Sequence, residues 1–193
     1  LGTIKFSGHG GSSATSAIDA TAAGNIYDNF DGTAGDGTGN GLSSDGVALL
    51  AAGAGDNNIY YTLPAMVDGL AVNASLNTAG ATGNNALGFN MTYTGVEGLS
   101  VSYGQADIET GLASTSGDQT VMNASYAYGP VTVAYSNNDH ATETSSKDQE
   151  TTSYSLSYTV SDAISVSYGE ETIDEEGDAL DAEFSKIAVS YTS

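Results

Sequence analysis

Apolar side chains recur at every second position through 150–174, "ETTSYSLSYTVSDAISVSYGEETID". Tyr154, Leu156, Tyr158 and Val160 share one parity, and after "SDA" the series resumes with Ile164, Val166 and Tyr168. Ser153, Ser155, Ser157, Thr159, Ser165 and Ser167 occupy the other parity. Successive strand side chains point to opposite sides, so this stretch predicts a hairpin with one apolar face and one small polar face. The design recurs upstream. Phe89, Met91 and Tyr93 lead through "GVEG" to Leu99, Val101 and Tyr103, and Met122, Ala124, Tyr126 and Tyr128 lead through "GP" to Val131, Val133 and Tyr135.

The tyrosines of the rising strands, 103, 135 and 168, are 32 and 33 residues apart; those of the descending strands, 93, 126, 158 and 191, are 33, 32 and 33 apart. A fixed period of one hairpin marks a repeating architecture: a propeller, a solenoid or an up-and-down barrel. Connections alternate between short turns (64–69, 95–98, 129–130, 161–163) and longer links (78–85, 108–117, 139–148, 173–182). Ten strands are predicted, at 1–8, 57–64, 69–77, 86–94, 98–107, 118–129, 130–138, 149–160, 163–172 and 183–192. Tilted strands of about nine to eleven residues are long enough to cross a bilayer.

The two faces separate a membrane barrel from a soluble β-sandwich, whose strands also alternate. A sheet face in water normally carries Lys, Glu and Arg, whereas here it carries Ser, Thr, Asn, Ala and Gly, which suit a water-filled interior. Tyr103, Tyr135 and Tyr168 end the apolar series beside the long links, and Tyr93, Tyr128 and Tyr191 end it beside the short turns. Two rims of Tyr around a Val, Leu and Ile band match a lipid core, where each ring sits in hydrocarbon and each hydroxyl in water. The expected fold is therefore all-β: a transmembrane antiparallel up-and-down β-barrel, short turns at one end and long loops at the other. Closure pairs every backbone group within the hydrocarbon, and an even number of ten strands allows it.

Charge narrows the function. The chain carries 24 acidic residues, three lysines and no arginine, a formal net charge of -21, which argues against nucleic acid or anionic lipid as an electrostatic partner. Only Asp68, Glu97 and Asp162 of the acidic residues fall on the short turns. Cysteine is absent, so there is neither a disulfide framework nor a thiolate metal site. The longest apolar-leaning run, "GVALLAAGAG", is too short for a spanning helix. The opening "LGTIKFSG" already alternates like a strand, without initiator Met or signal peptide, so the chain is expected to begin within a longer one.

A stretch of about fifty residues separates the first two strands, too long for a plain connection in a compact domain. Through "NNIYYTLPAMVDGLAVNASL", "LSSDGVAL", "YTGVEGLSVSYGQAD" and the V-x-Y strand endings, the chain resembles the Gram-negative general-diffusion porins, particularly the alphaproteobacterial type. The resemblance covers nearly all of 1–193, one barrel domain. It implies that residues 9–56 are an inward-folding constriction loop and that the first strand here is the fifth of sixteen. Four strands before it and two after it are then expected outside the chain. It also implies an outer-membrane location, a homotrimer, contact with lipid bilayer and lipopolysaccharide, and no enzymatic activity.

Candidate constriction residues are Asp28, Asp31, Asp36 and Asp45 on the loop, with Lys5 and Lys186 at lumen-facing parity. Family porins set a basic cluster against loop carboxylates; this chain departs from that pattern, having no arginine at all. No cofactor is expected beyond loosely held Ca2+ or Mg2+ at acidic loops. "DNFDG" and "GDGTGNGLSSDG" lack the ligand spacing of an EF-hand. Neither His9 nor His140 has a Ser and a carboxylate placed to form a triad, and "EEGD" reads as a solvated charge run. The expected function is passive, cation-preferring diffusion of ions and small hydrophilic solutes. The alternative is an acidic secreted or surface β-sandwich of adhesin-like, structural role.

Overall fold

The computed structural model describes residues 1–24, 26, 57–78, 85–114, 116–177 and 182–192. They form one sheet of ten antiparallel strands in sequence order: β1 (Thr3–Ser7), β2 (Asn58–Thr62), β3 (Leu70–Thr78), β4 (Asn85–Tyr93), β5 (Leu99–Glu109), β6 (Gly117–Tyr128), β7 (Val131–Thr142), β8 (Gln149–Ser161), β9 (Ile164–Glu175) and β10 (Ala182–Tyr191). All ten expected strands are present. No helix among these residues is long and apolar enough to cross a membrane. The ten strands do not close on themselves, however: β1 and β10 are the two edges.

Two of the short turns are built alike. In "VDGL" the N–H of Leu70 donates to Val67 O at 3.1 Å, and in "VEGL" that of Leu99 donates to Val96 O at 3.0 Å. Gly69 and Gly98 occupy the third position with φ of 74° and 76°, which a type II turn requires and side chains resist. The β5, β7 and β9 strands run two to four residues further at the long-link end than the apolar alternation suggests. There the outward residues turn polar (Asp107, Asp139, Asp174) while the ladder continues.

Register gives the sheet its stagger. Tyr93 pairs with Val101, Val101 with Ala124, Ala124 with Tyr135, Tyr135 with Tyr154, Tyr154 with Glu170 and Glu170 with Ser185. Along that row Tyr126, Tyr158 and Tyr191 lie two, four and six residues nearer the short turns, after two, four and six strands. The other tyrosine line does the same. From the row of Tyr103, Met122, Asn137, Thr152 and Thr172, Tyr135 lies two residues lower on β7 and Tyr168 four lower on β9. Phe6 on β1 continues this line, because its row leads to Asp107, four residues above Tyr103. Both lines drop one residue per strand. If the lines lie level, a drop of about 3.3 Å per step of about 4.8 Å means that the strands lean by roughly 35°, as in transmembrane barrels.

The outward face carries exposed Leu156, Tyr158, Val160, Ile187 and Val189, and Tyr135 and Tyr154 meet with ring centroids 5.4 Å apart. The inward face is not uniformly small and polar. Towards the long links it also holds Ala106, Ile108, Val121, Ile173 and Phe184, all buried. The expectation of a small polar lumen face therefore fits only its short-turn half. Because side-chain direction alternates, Val166→Arg faces hydrocarbon and is expected to cost about 2–4 kcal/mol, whereas Ser165→Arg faces water and folds. Urea titration of both variants in lipid vesicles checks this, and equal losses would contradict the face assignment.

Candidate functional site

Residues 12–24 form a strap that crosses the inward face from β2 to β9. "SSATSAIDATAAG" is nearly all small residues, so its backbone can approach within hydrogen-bonding distance of wall side chains. Asn58 Nδ2 donates to Ser12 O (2.9 Å), Ala14 N donates to Ser75 Oγ (2.7 Å) and Asn90 Nδ2 donates to Ala14 O (2.6 Å). Further along, Asn123 Nδ2 donates to Asp19 O (2.9 Å). Ser136 Oγ accepts from Ala22 N (2.8 Å) and donates to Ala20 O (2.9 Å), and Ser153 Oγ accepts from Ala23 N (2.8 Å). Within the strap, the 3-10 turn Thr15–Ala17 is closed by Ile18 N on Thr15 O at 3.0 Å. Asp19 Oδ1 accepts from Thr21 N at 2.9 Å, which leaves that exposed carboxylate oriented but facing solvent.

The strap runs parallel to the tyrosine lines. Ser75 lies on the row Gly88, Ala106, Gln119, His140, Gln149 and Glu175. The strap's contact on β9, beside Gly169, is six residues lower after six strands. Its contacts on β5, β7 and β9 are Gly104, Ser136 and Gly169, each immediately following Tyr103, Tyr135 or Tyr168 in sequence. It therefore crosses the interior just above the tyrosine line nearer the long links.

This height divides the wall. On the long-link side the inward residues Gln119, Val121, Asn138, His140, Gln149, Thr151 and Ile173 are buried. On the short-turn side Thr92, Ser100, Ser102, Ser125, Thr132, Ser155, Ser157, Ser165 and Ser167 are all more open. The strap is the lower rim of a packed layer above a hydroxyl-lined space.

The sequence profile described as Gram-negative porin matches residues 6–192. The chain belongs to the Gram-negative porin family. Comparison with curated protein sequences gives no match. The family places this porin in the outer membrane, and it is a family of channels rather than enzymes.

In this porin Lys5 lies opposite Tyr60 on the inward face, in a recess of about 260 Å³ lined by Thr3, Ser7, Ser12, Asn58 and Thr62, where the strap begins. Lys186 lies opposite Gly169, where the strap meets β9. Asp28, Asp31, Asp36 and Asp45 lie outside the described residues. Tyr93, Tyr103, Tyr128, Tyr135, Tyr168 and Tyr191 all fall on the outward face. Sequence reasoning overlooked Asp19 and the wall residues that hold the strap. A signal for three of the wall positions was present in "VSYGQAD", "VAYSNND" and "VSYGEET", where Gly or Ser follows the tyrosine on β5, β7 and β9.

His140 and Asp139 sit on β7 beyond Tyr135, outside the membrane-spanning stretch. Among the described residues neither ring nitrogen of His140 has a hydrogen-bond partner. Burial lowers its pKa below the usual range, against the upward pull of Asp139, Asp148 and Asp118. Asp139 is raised by burial and then by Glu150 and Asp148, with His140 opposing.

Two predictions follow from this geometry. Ser136→Ala strands the half-buried Ala22 N–H and Ala20 carbonyl, and such losses cost at most about 1–3 kcal/mol; faster hydrogen exchange in 18–24 than in the wild type is expected. A histidine whose folded pKa is depressed disfavours the native state as pH falls below its unfolded value of about 6.5. Wild-type protein should therefore lose stability to urea between pH 7.5 and 5.5, and His140→Gln should lose less. Losing His140 also removes its downward pull on Asp139, which acts in the same direction, so parallel pH profiles would refute the assignment.

Proposed function

We propose that this porin is a passive, cation-preferring diffusion channel for ions and small hydrophilic solutes, and that residues 12–24 belong to its constriction. The observation that carries the reading is the strap itself, laid across eight successive strands at one height and tied to the wall by Ser and Asn. A segment so held narrows the bore without closing it. The wall below offers hydroxyls too small and too weakly binding to retain a solute, which favours flux over recognition.

Charge supports the cation preference. The exposed Asp19 carboxylate sits mid-strap, and the chain as a whole is at -21. In a water-filled bore walled by low dielectric, like charges focus a field on the passing ion. Lys5 and Lys186 flank the two ends of the strap and set a weaker opposing charge there.

The outward rim adds a second part to the reading. Asp139 pairs with Glu150 and Glu150 with Asp174, above the tyrosine line, and Asp107 pairs with Asp118. Ca2+ or Mg2+ bridging such a row to lipopolysaccharide phosphates would relieve the repulsion from Glu150 and Asp148 that adds to burial in raising Asp139. Assembly as a homotrimer belongs to the same reading and rests on family membership alone.

The test is the reversal potential in planar bilayers under a salt gradient. Cation selectivity is expected at low salt, weakening as the screening length falls from about 30 Å at 0.01 M to about 3 Å at 1 M. Asp19→Asn should shift the potential towards the anion value without loss of conductance. An anion-selective wild type would overturn the preference.

A further inference from the structure

Gly104 and Gly169 interrupt β5 and β9 in mid-strand, where glycine weakens a sheet and offers no side chain to pack. Backbone geometry does not demand them, since neither is among the glycines with positive φ. Space does. A Cβ built on Gly169 would stand 2.9 Å from Ala23 Cβ and 2.9 Å from Ile26 Cδ1, with Ala23 Cα next at 3.5 Å. All three atoms belong to the strap and its continuation. A Cβ on Gly104 would stand 2.8 Å from Ile18 Cδ1, and 3.2 Å from Phe89 O on the neighbouring strand. Ordinary contact begins near 3.4 Å, so an added methyl must displace what lies against it: at Gly104 the free end of Ile18, which can turn aside, and at Gly169 also Ala23 Cβ, which has no rotamer to turn to.

We propose that Gly169, with Gly104 as a softer second notch, is a size-determining position of the channel: hollows in the wall receive Ala23 with Ile26 at one and Ile18 at the other, and the contact of Gly169 with Ala23 fixes how far the strap stands into the bore. The inference rests on the strap being the constriction. The hydrogen bonds from Ser75, Asn90, Asn123, Ser136 and Ser153 hold the strap along the wall, but a hydrogen bond tolerates a few tenths of an ångström of stretch. Repulsion between carbon atoms does not, because packed contacts have no slack to absorb an added methyl. The stand-off is therefore set at the notches. Ser136 occupies the equivalent position on β7 between them, and there the wall offers a bond instead of a hollow.

Gly169 gives the cleaner test, since its obstructing atoms lie on the strap side alone. Gly169→Ala should lift the strap, lower the single-channel conductance and slow liposome swelling in the largest sugars the wild type admits, with smaller sugars little changed. Adding Ala23→Gly and Ile26→Val removes the two obstructing atoms and leaves Ala23 Cα at ordinary contact. The triple variant should recover both conductance and the sugar limit. Wild-type behaviour in an assembled Gly169→Ala would overturn the proposal. So would a loss that persists in the triple variant, because the added methyl would then act by its own volume. Should Gly169→Ala fail to assemble, Ile26→Val alone should speed entry of sugars at the limit, and unchanged entry would overturn the proposal as well. A wild-type protein that conducts nothing and admits no sugar would strike at the channel reading itself, which separates the two failures.

Discussion

The one-residue stagger from each strand to the next is the constraint on which the rest depends. In hydrocarbon every backbone N–H and C=O must be paired within the sheet, so strands have no freedom except register. Stagger converts register into tilt, and tilt fixes which residues share a height. That is why tyrosines 32 or 33 residues apart form level lines although no two of them in one line are direct partners on neighbouring strands. The same stagger brings Ser75 on β3 and Gly169 on β9 to one level. A strap that crosses the strands can then run level and still meet a suitable side chain or hollow on each.

Much of this was legible in the sequence because period 2 is a strong signal when one face is held apolar. The alternation located all ten strands, and the V-x-Y endings revealed the tyrosine lines and the family. The long-link ends were harder. At Asp139 and His140 the outward residue turns polar and the inward one is buried, so the contrast that marks a strand reverses and the alternation is lost. Val121, Ile173 and Phe184 are apolar residues on the parity assigned to water, and nothing local distinguishes a covered lumen wall from a wet one.

The strap was legible in part. Its stretch read as a loop folding inward, through resemblance, but "SSATSAIDATAAG" has no periodic pattern from which its path could be traced. The interactions that place it are between residues far apart in sequence, Ala22 with Ser136 and Ala23 with Ser153. The faint signal lay on the wall, where a small residue follows the tyrosine on β5, β7 and β9. Read alone, a Gly or Ser on a lumen face means only a roomy interior; read across three strands at one level, it is the footprint of something lying there.

The chemistry of the attachment bears on how so acidic a protein could hold the proposed constriction. Every strap–wall hydrogen bond described above runs between the backbone and a neutral Ser or Asn, and the apolar contacts involve Ala and Ile. Neutral bonds to backbone are little affected by salt, whereas exposed ion pairs weaken as ionic strength rises. A strap held by carboxylate–lysine pairs would loosen as ionic strength rises, and would consume charges otherwise free to face the solution. Holding it by Ser and Asn separates the two tasks. The path of the strap then depends on contacts that salt leaves in place, while carboxylates such as Asp19 remain exposed to the solution, and under the proposed function bore and selectivity could vary independently of one another.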